Sequence, residues 1–199
     1  EYVGFVGSFY HYQGLATLLE AFDSLHARRS SLRLLMVGDG EAATALHEQA
    51  SQRGLSPLIT WTGRVPYARV PMLIGAMDVC VAPFCGDRGE TSPVKIFDYL
   101  ACGKPVVASA IPSVTALFSE ANGVRLVEPD RPALLADAVM TLLDQPENAR
   151  RLGLNGRACV ETRFGWSAIV QGLREMVEPM ILDYQKPQRV CLNGTRERV

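Results

Sequence analysis

The chain predicts an α/β fold: a doubly wound, six-stranded parallel sheet with helices on both faces. Three observations carry this. Short runs rich in valine, isoleucine and leucine recur six times without strict alternation, as strands buried on both faces do. Segments with helical periodicity separate them. Of the 199 residues, 48% are hydrophobic, enough for a substantial core.

The candidate strands are 2–7, 32–38, 58–63, 78–83, 105–109 and 124–127. Helices are expected at about 14–28, 41–53, 67–76, 93–102 and 113–120, then at about 131–144, 147–163 and 166–182. In the first, Leu15, Leu18, Leu19, Phe22 and Leu25 recur at helical spacing and form one apolar stripe. Pro132 marks a helix start, where its missing N–H costs nothing. Gly103 closes the helix before it, and Pro105 prevents continuation. Residues 184–199 lose periodicity and read as a C-terminal tail, leaving 1–183 as the folded domain. The chain opens on a strand-like run without an initiating methionine, which reads as a piece of something longer.

Composition excludes several classes. A net charge of −1, from 20 basic and 21 acidic residues, leaves no footprint of a nucleic-acid binder. The five cysteines are scattered, with neither metal-ligand spacing nor an even count for disulfides, and read as reduced thiols of a cytoplasmic protein. No apolar run is long enough for a transmembrane segment. Neither a hydrolase elbow nor a Ser/His/Asp order is present.

Chemistry concentrates in GETSPVKIFDYLACGKPVV, residues 89–107. Ser92 suits an N-cap and Pro93 the first helical position, which puts Lys95 third. A cation there opposes the helix dipole at a cost of up to about 1 kcal/mol, unless a bound anion reverses the sign. Thr91, Lys95, Asp98 and Cys102 form a polar stripe on an otherwise apolar helix. Two readings stand side by side: a phosphate site, or a surface Lys95–Asp98 ion pair. Gly38 and Gly40 in VGDGEAA partly match a dinucleotide fingerprint, the basis of an oxidoreductase reading, and equally suit a tight turn. His11 lies in the loop after the first strand, at the expected ligand edge, while His26 and His47 read as solvent-facing.

Five segments appear in order and spacing: VGSFYHYQGLATLLEAF, LRLLMVGDGE, ITWTGRVPYARVPMLIGAMDVCVAP, GETSPVKIFDYLACGKPVVAS and GVRLVEPDRPALLADAVMTLLDQPENARRLGLNGR. Together they resemble the donor-binding, C-terminal half of a GT-B glycosyltransferase of the retaining group 1 (family 4) type, a Rossmann-like domain. The resemblance implies a nucleoside-diphosphate-sugar donor and no metal or other cofactor. It implies an acceptor (glycan, lipid or small molecule) bound through an N-terminal domain absent from this chain. It also implies front-face transfer, a fragment inactive by itself, and a full-length protein that can work peripherally at the inner membrane face.

The family's two acids, seven residues apart, fall on Glu90 and Asp98. By resemblance Glu90 contacts the donor sugar and is, with Lys95, a catalytic candidate. Asp98 accepts from ribose hydroxyls, and the backbone of Thr91, Ser92, Pro93 and Val94 approaches sugar and diphosphate. Gly7, Ser8, His11, Gln13, Gly38, Gly40, Arg64 and Val65, after the first three strands, complete the expected donor site. The pattern departs at two points. The second acid is usually glutamate, and the family's arginine and lysine in the first loop are here Ser8 and Gln13. Either the charge is relocated, with Lys95 the leading candidate and Arg64 or His11 in support, or the chain is a degenerate, non-catalytic nucleotide- or partner-binding module. A phosphorylase or epimerase on the same fold is a minor enzymatic alternative.

Overall fold

The computed structural model describes residues 1–86 and 92–184. All six expected strands form: β1 (Tyr2–Val6), β2 (Arg33–Val37), β3 (Ile59–Trp61), β4 (Val79–Ala82), β5 (Val106–Ser109) and β6 (Val124–Val127). They make one parallel sheet in the order β3-β2-β1-β4-β5-β6. The order reverses between β1 and β4, and a crevice opens there at the carboxyl ends of the strands.

The helices are α1 (Leu15–Arg28), α2 (Ala43–Gln52), α3 (Val70–Gly75), α4 (Val94–Ala101), α5 (Pro112–Thr115), α6 (Pro132–Asp144), α7 (Pro146–Cys159) and α8 (Trp166–Tyr184). Successive residues of a strand face opposite ways, so β2 feeds two cores. Leu34 and Met36 join Leu18, Leu19 and Phe22 of α1 with Leu135 and Val139 of α6. Leu35 and Val37 join Ile74 of α3 with Ile96, Tyr99 and Leu100 of α4. Each fully buried leucine or phenylalanine is worth about 1.5–3 kcal/mol, so the stripe on α1 is ample to hold that helix to the sheet.

Four boundaries differ from expectation. The fifth expected helix shrinks to α5, because Phe118 turns into the core and Ser119 caps a separate 3-10 turn over Glu120–Asn122. The expected 67–76 helix begins as a 3-10 turn, Tyr67–Arg69. α7 ends at Cys159, followed by a π-helical turn. α4 starts one residue late, since Pro93 at ψ 42° lies outside the helical region. Pro93, not Ser92, is therefore the N-cap, and Lys95 is second in the helix rather than third.

The chain divides into two compact units, Glu1–Glu161 and one beginning at Thr162. Sheet and crevice belong to the first and α8 to the second. Tyr184 ends α8, so the remainder of the expected tail, 185–199, lies outside the described residues.

Candidate functional site

The site grows from the divergence of β1 and β4. Their ladder pairs Val3 with Val79 and Gly4 with Cys80. Beyond it the strands part, and the Tyr99 hydroxyl fills the gap. It accepts from Val6 N at 2.7 Å and lies 3.4 Å from the carbonyl oxygens of Val6 and Val81. The ring is fully buried, so this phenol supplies the hydrogen bond that a neighbouring strand would otherwise give.

One turn earlier on α4, Lys95 reaches into the crevice. Its ammonium donates to Gln13 Oε1 and sits 3.9 Å from the centroid of the Phe5 ring and 5.2 Å from that of Phe84. Two aromatic faces suit a cation. Gln13 is 7% exposed, one of two buried polar residues among the described residues, which makes it a fixed anchor rather than a surface amide. No carboxylate pairs with Lys95 among the described residues. Burial without a counter-charge pushes the lysine pKa well below its ordinary value. The surface ion pair with Asp98 is thus not formed.

Asp98 instead accepts a 3.0 Å hydrogen bond from the Tyr67 hydroxyl. That bond raises the Tyr67 pKa, because the ionised phenolate would lose it and meet a carboxylate. Among the described residues no side chain caps the first turn of α4.

The crevice has two lobes that meet at Val6, Gly7 and Val70. One, of about 410 Å³, is lined by Ser8, Gly38, Asp39, Arg64 and Val65. The other, of about 320 Å³, is lined by Gln13, Tyr67, Phe84, Ser92, Val94, Lys95 and Asp98. Each is within the range of small-molecule sites. The loops are laced together: Gly7 N donates to Val37 O at 2.9 Å, Phe9 N to Asp39 O at 3.0 Å, and Ala42 N to Phe9 O at 2.9 Å. VGDGEAA is therefore a turn braced against the first loop, and Gly40 packs on the Phe9 backbone.

Expected residues divide accordingly. Gly7, Ser8, Gln13, Gly38, Arg64, Val65, Ser92, Val94, Lys95 and Asp98 come together around the crevice. Pro93 is buried behind it. His11 does not join them; its backbone sits in a 3-10 turn facing a separate hollow with Tyr10, Ala42 and Leu46. Glu90 and Thr91 lie outside the described residues. His47 is exposed, as expected, and meets the Trp61 ring, but His26 is half-buried against Phe22. Sequence reasoning missed Phe5, Tyr67, Phe84 and Tyr99. Phe84, directly after β4 at the ligand edge, was the one with a positional signal.

The Lys95–Gln13 contact yields a test. Gln13→Lys restores a lysine at the family position but sets two ammonium groups within hydrogen-bonding distance in a half-closed site. The variant is expected to lose about 2 kcal/mol of stability, seen as a lower urea midpoint. A midpoint equal to the parent's would mean that Lys95 is free to swing out.

Among the described residues no helix is long and apolar enough to cross a membrane, and no group of three or more His, Cys, Asp or Glu is placed to hold a metal ion. Residues 1–145 match the family model for "Glycosyl transferases group 1". The chain is 28% identical over 164 residues to the alpha-D-kanosaminyltransferase of Streptomyces kanamyceticus, covering 82% of this chain and 42% of that one. It superposes with a TM-score of 0.81 on Anabaena Alr3699/HepE in complex with UDP, at 22% identity over 89% of this chain and 48% of that one. It superposes at 0.74 on the C-terminal domain of the group 1 glycosyltransferase LpcC from Francisella tularensis, at 18% identity over 83% and 86% of the two chains. The chain thus spans less than half the length of the curated relatives it matches. With its parallel Rossmann-like sheet of GT-B type and the match over most of its length, this chain belongs to the group 1 glycosyltransferases.

Proposed function

We propose that this chain is the donor-binding half of a retaining glycosyltransferase that takes a nucleoside-diphosphate sugar. One observation carries the reading: a partly buried ammonium, without a carboxylate partner among the described residues, sits at the start of a helix in the switch-point crevice. Such a group lacks an anion, and a diphosphate supplies one. The contact with Gln13 supports relocated charge, since Lys95 comes from α4 to the position where the family carries its own lysine. The UDP held by HepE on the same fold is consistent with this donor class.

The mechanism follows from charge. As the sugar–phosphate bond breaks, negative charge grows on the diphosphate, where Lys95 and the N–H groups of α4 stabilise it. No metal is needed for that task. Asp98 accepts from the ribose diol, and Glu90 orients the sugar for transfer on the face that the diphosphate leaves. The acceptor binds in an N-terminal half, so this fragment binds donor weakly and transfers nothing by itself.

Titrating UDP, GDP and ADP in the presence of EDTA, while following the amide shifts of Gly7 and Val94–Asp98, tests the reading. One nucleotide is expected to move these signals with chelator present. Silence from all three would favour a non-catalytic module, the reading that the missing charges at Ser8 and Gln13 support. Transferase turnover by the fragment alone would contradict the division of labour.

A further inference from the structure

The Tyr67–Asp98 contact belongs to none of the roles above. Tyr67 sits on the 3-10 turn after β3, with 73% of its surface exposed, so packing does little to hold the ring. Its hydroxyl nonetheless reaches 3.0 Å from Asp98 Oδ1, in the lobe that also contains Lys95. A phenol donating to a carboxylate makes the same bond as a ribose hydroxyl: one O–H donor, one charged acceptor.

We infer that Tyr67 is a built-in stand-in for a ribose hydroxyl, holding Asp98 through its phenol and exchanged for the sugar when a ribonucleotide binds. The inference rests on the ribose role proposed for Asp98. Tyr67 is then a specificity residue: a ligand without ribose hydroxyls cannot replace the bond it displaces and is rejected by the carboxylate it leaves unpaired. The hydrogen bond to the Asp98 carboxylate is the chief cause of the raised Tyr67 pKa, and the charge of that carboxylate adds to it.

The experiment compares the parent chain with Tyr67→Phe, using whichever of UDP, GDP and ADP binds most tightly and its 2′,3′-dideoxy counterpart. In the parent, saturating ribonucleotide should bring the raised pKa of Tyr67, read from its ring-carbon NMR signal, back toward that of an exposed tyrosine, and the dideoxy compound should not. In Tyr67→Phe the ribonucleotide should bind about three- to tenfold more tightly, the worth of one ordinary hydrogen bond no longer displaced. Ribonucleotide binding that leaves the Tyr67 titration unchanged overturns the exchange while leaving the donor site intact. Weaker ribonucleotide binding by Tyr67→Phe also overturns it, making Tyr67 a support for Asp98. Failure of the parent to bind any of the three nucleotides removes the donor reading and the exchange together.

Discussion

Lys95→Ala is expected to weaken nucleoside diphosphate binding about 30-fold and to leave nucleoside binding nearly unchanged. A charge-assisted contact to phosphate in a partly desolvated site is worth about 2 kcal/mol, which corresponds to that ratio. A nucleoside has no phosphate and does not sense the change. Paired titrations of nucleotide and nucleoside read the difference, and an equal loss for both would end the phosphate role. Lys95→Met, which keeps the volume of the stem, is the companion variant. Burial lowers the lysine pKa. Between that lowered value and the ordinary lysine value the unfolded chain binds the extra proton, so this lysine penalises the fold at lower pH and the penalty fades as pH rises. Lys95→Met should therefore lose diphosphate affinity with a urea midpoint no lower than the parent's. The residue costs the fold something, as functional groups often do.

Gly7→Ala has the second large effect. The backbone there stands at φ +145°, a conformation that L side chains rarely adopt. A methyl group would lie 3.0 Å from Lys95 Nζ and 3.2 Å from its Cε, so it pushes the ammonium away from its place in the crevice. The strain alone costs about 2 kcal/mol. The displaced ammonium should also lower diphosphate affinity about fivefold, the loss of half of a contact worth about 2 kcal/mol. Gly54→Ala separates the two effects: its φ of +69° is also strained, but a methyl there meets nothing within 4 Å. Gly54→Ala should lower the melting temperature and spare binding. Equal affinities for the two alanine variants would show that Gly7 matters through the backbone only.

The limits of reading the sequence are visible at single residues. The strands were legible because each is apolar on both faces, and a sheet covered on two sides leaves that mark locally. α4 was legible from its apolar positions, but its start was not, since Pro93 takes a dihedral that composition does not announce. α5 was overextended because Leu117 and Phe118 continue a helical pattern while serving the core from outside a helix. At the site, both Lys95 and Gln13 stood out individually, one for an unfavourable charge and one for a missing one. That they touch could not be read, because they are 82 residues apart and meet only through the sheet order. Phe5 and Phe84 resembled ordinary core residues, and their second task, facing a cation, has no periodicity. Tyr67 left no pattern at all, being an exposed aromatic residue in a turn.

The seam between β1 and β4 also bears on how the molecule breathes. β1 is laddered to β2 from Tyr2 to Val6, but to β4 only at Val3 and Gly4. Each half of the sheet, β1–β3 and β4–β6, comes from one continuous stretch of chain, whereas the seam joins residues far apart in sequence. It is the junction expected to close last in folding and to open first in partial unfolding. Gly7 and Gln13 stand on one side of that seam, and Lys95 and Asp98 on the other. A ligand gripping both sides acts as a clamp, slowing amide exchange along β1 and β4 far from any atom it touches.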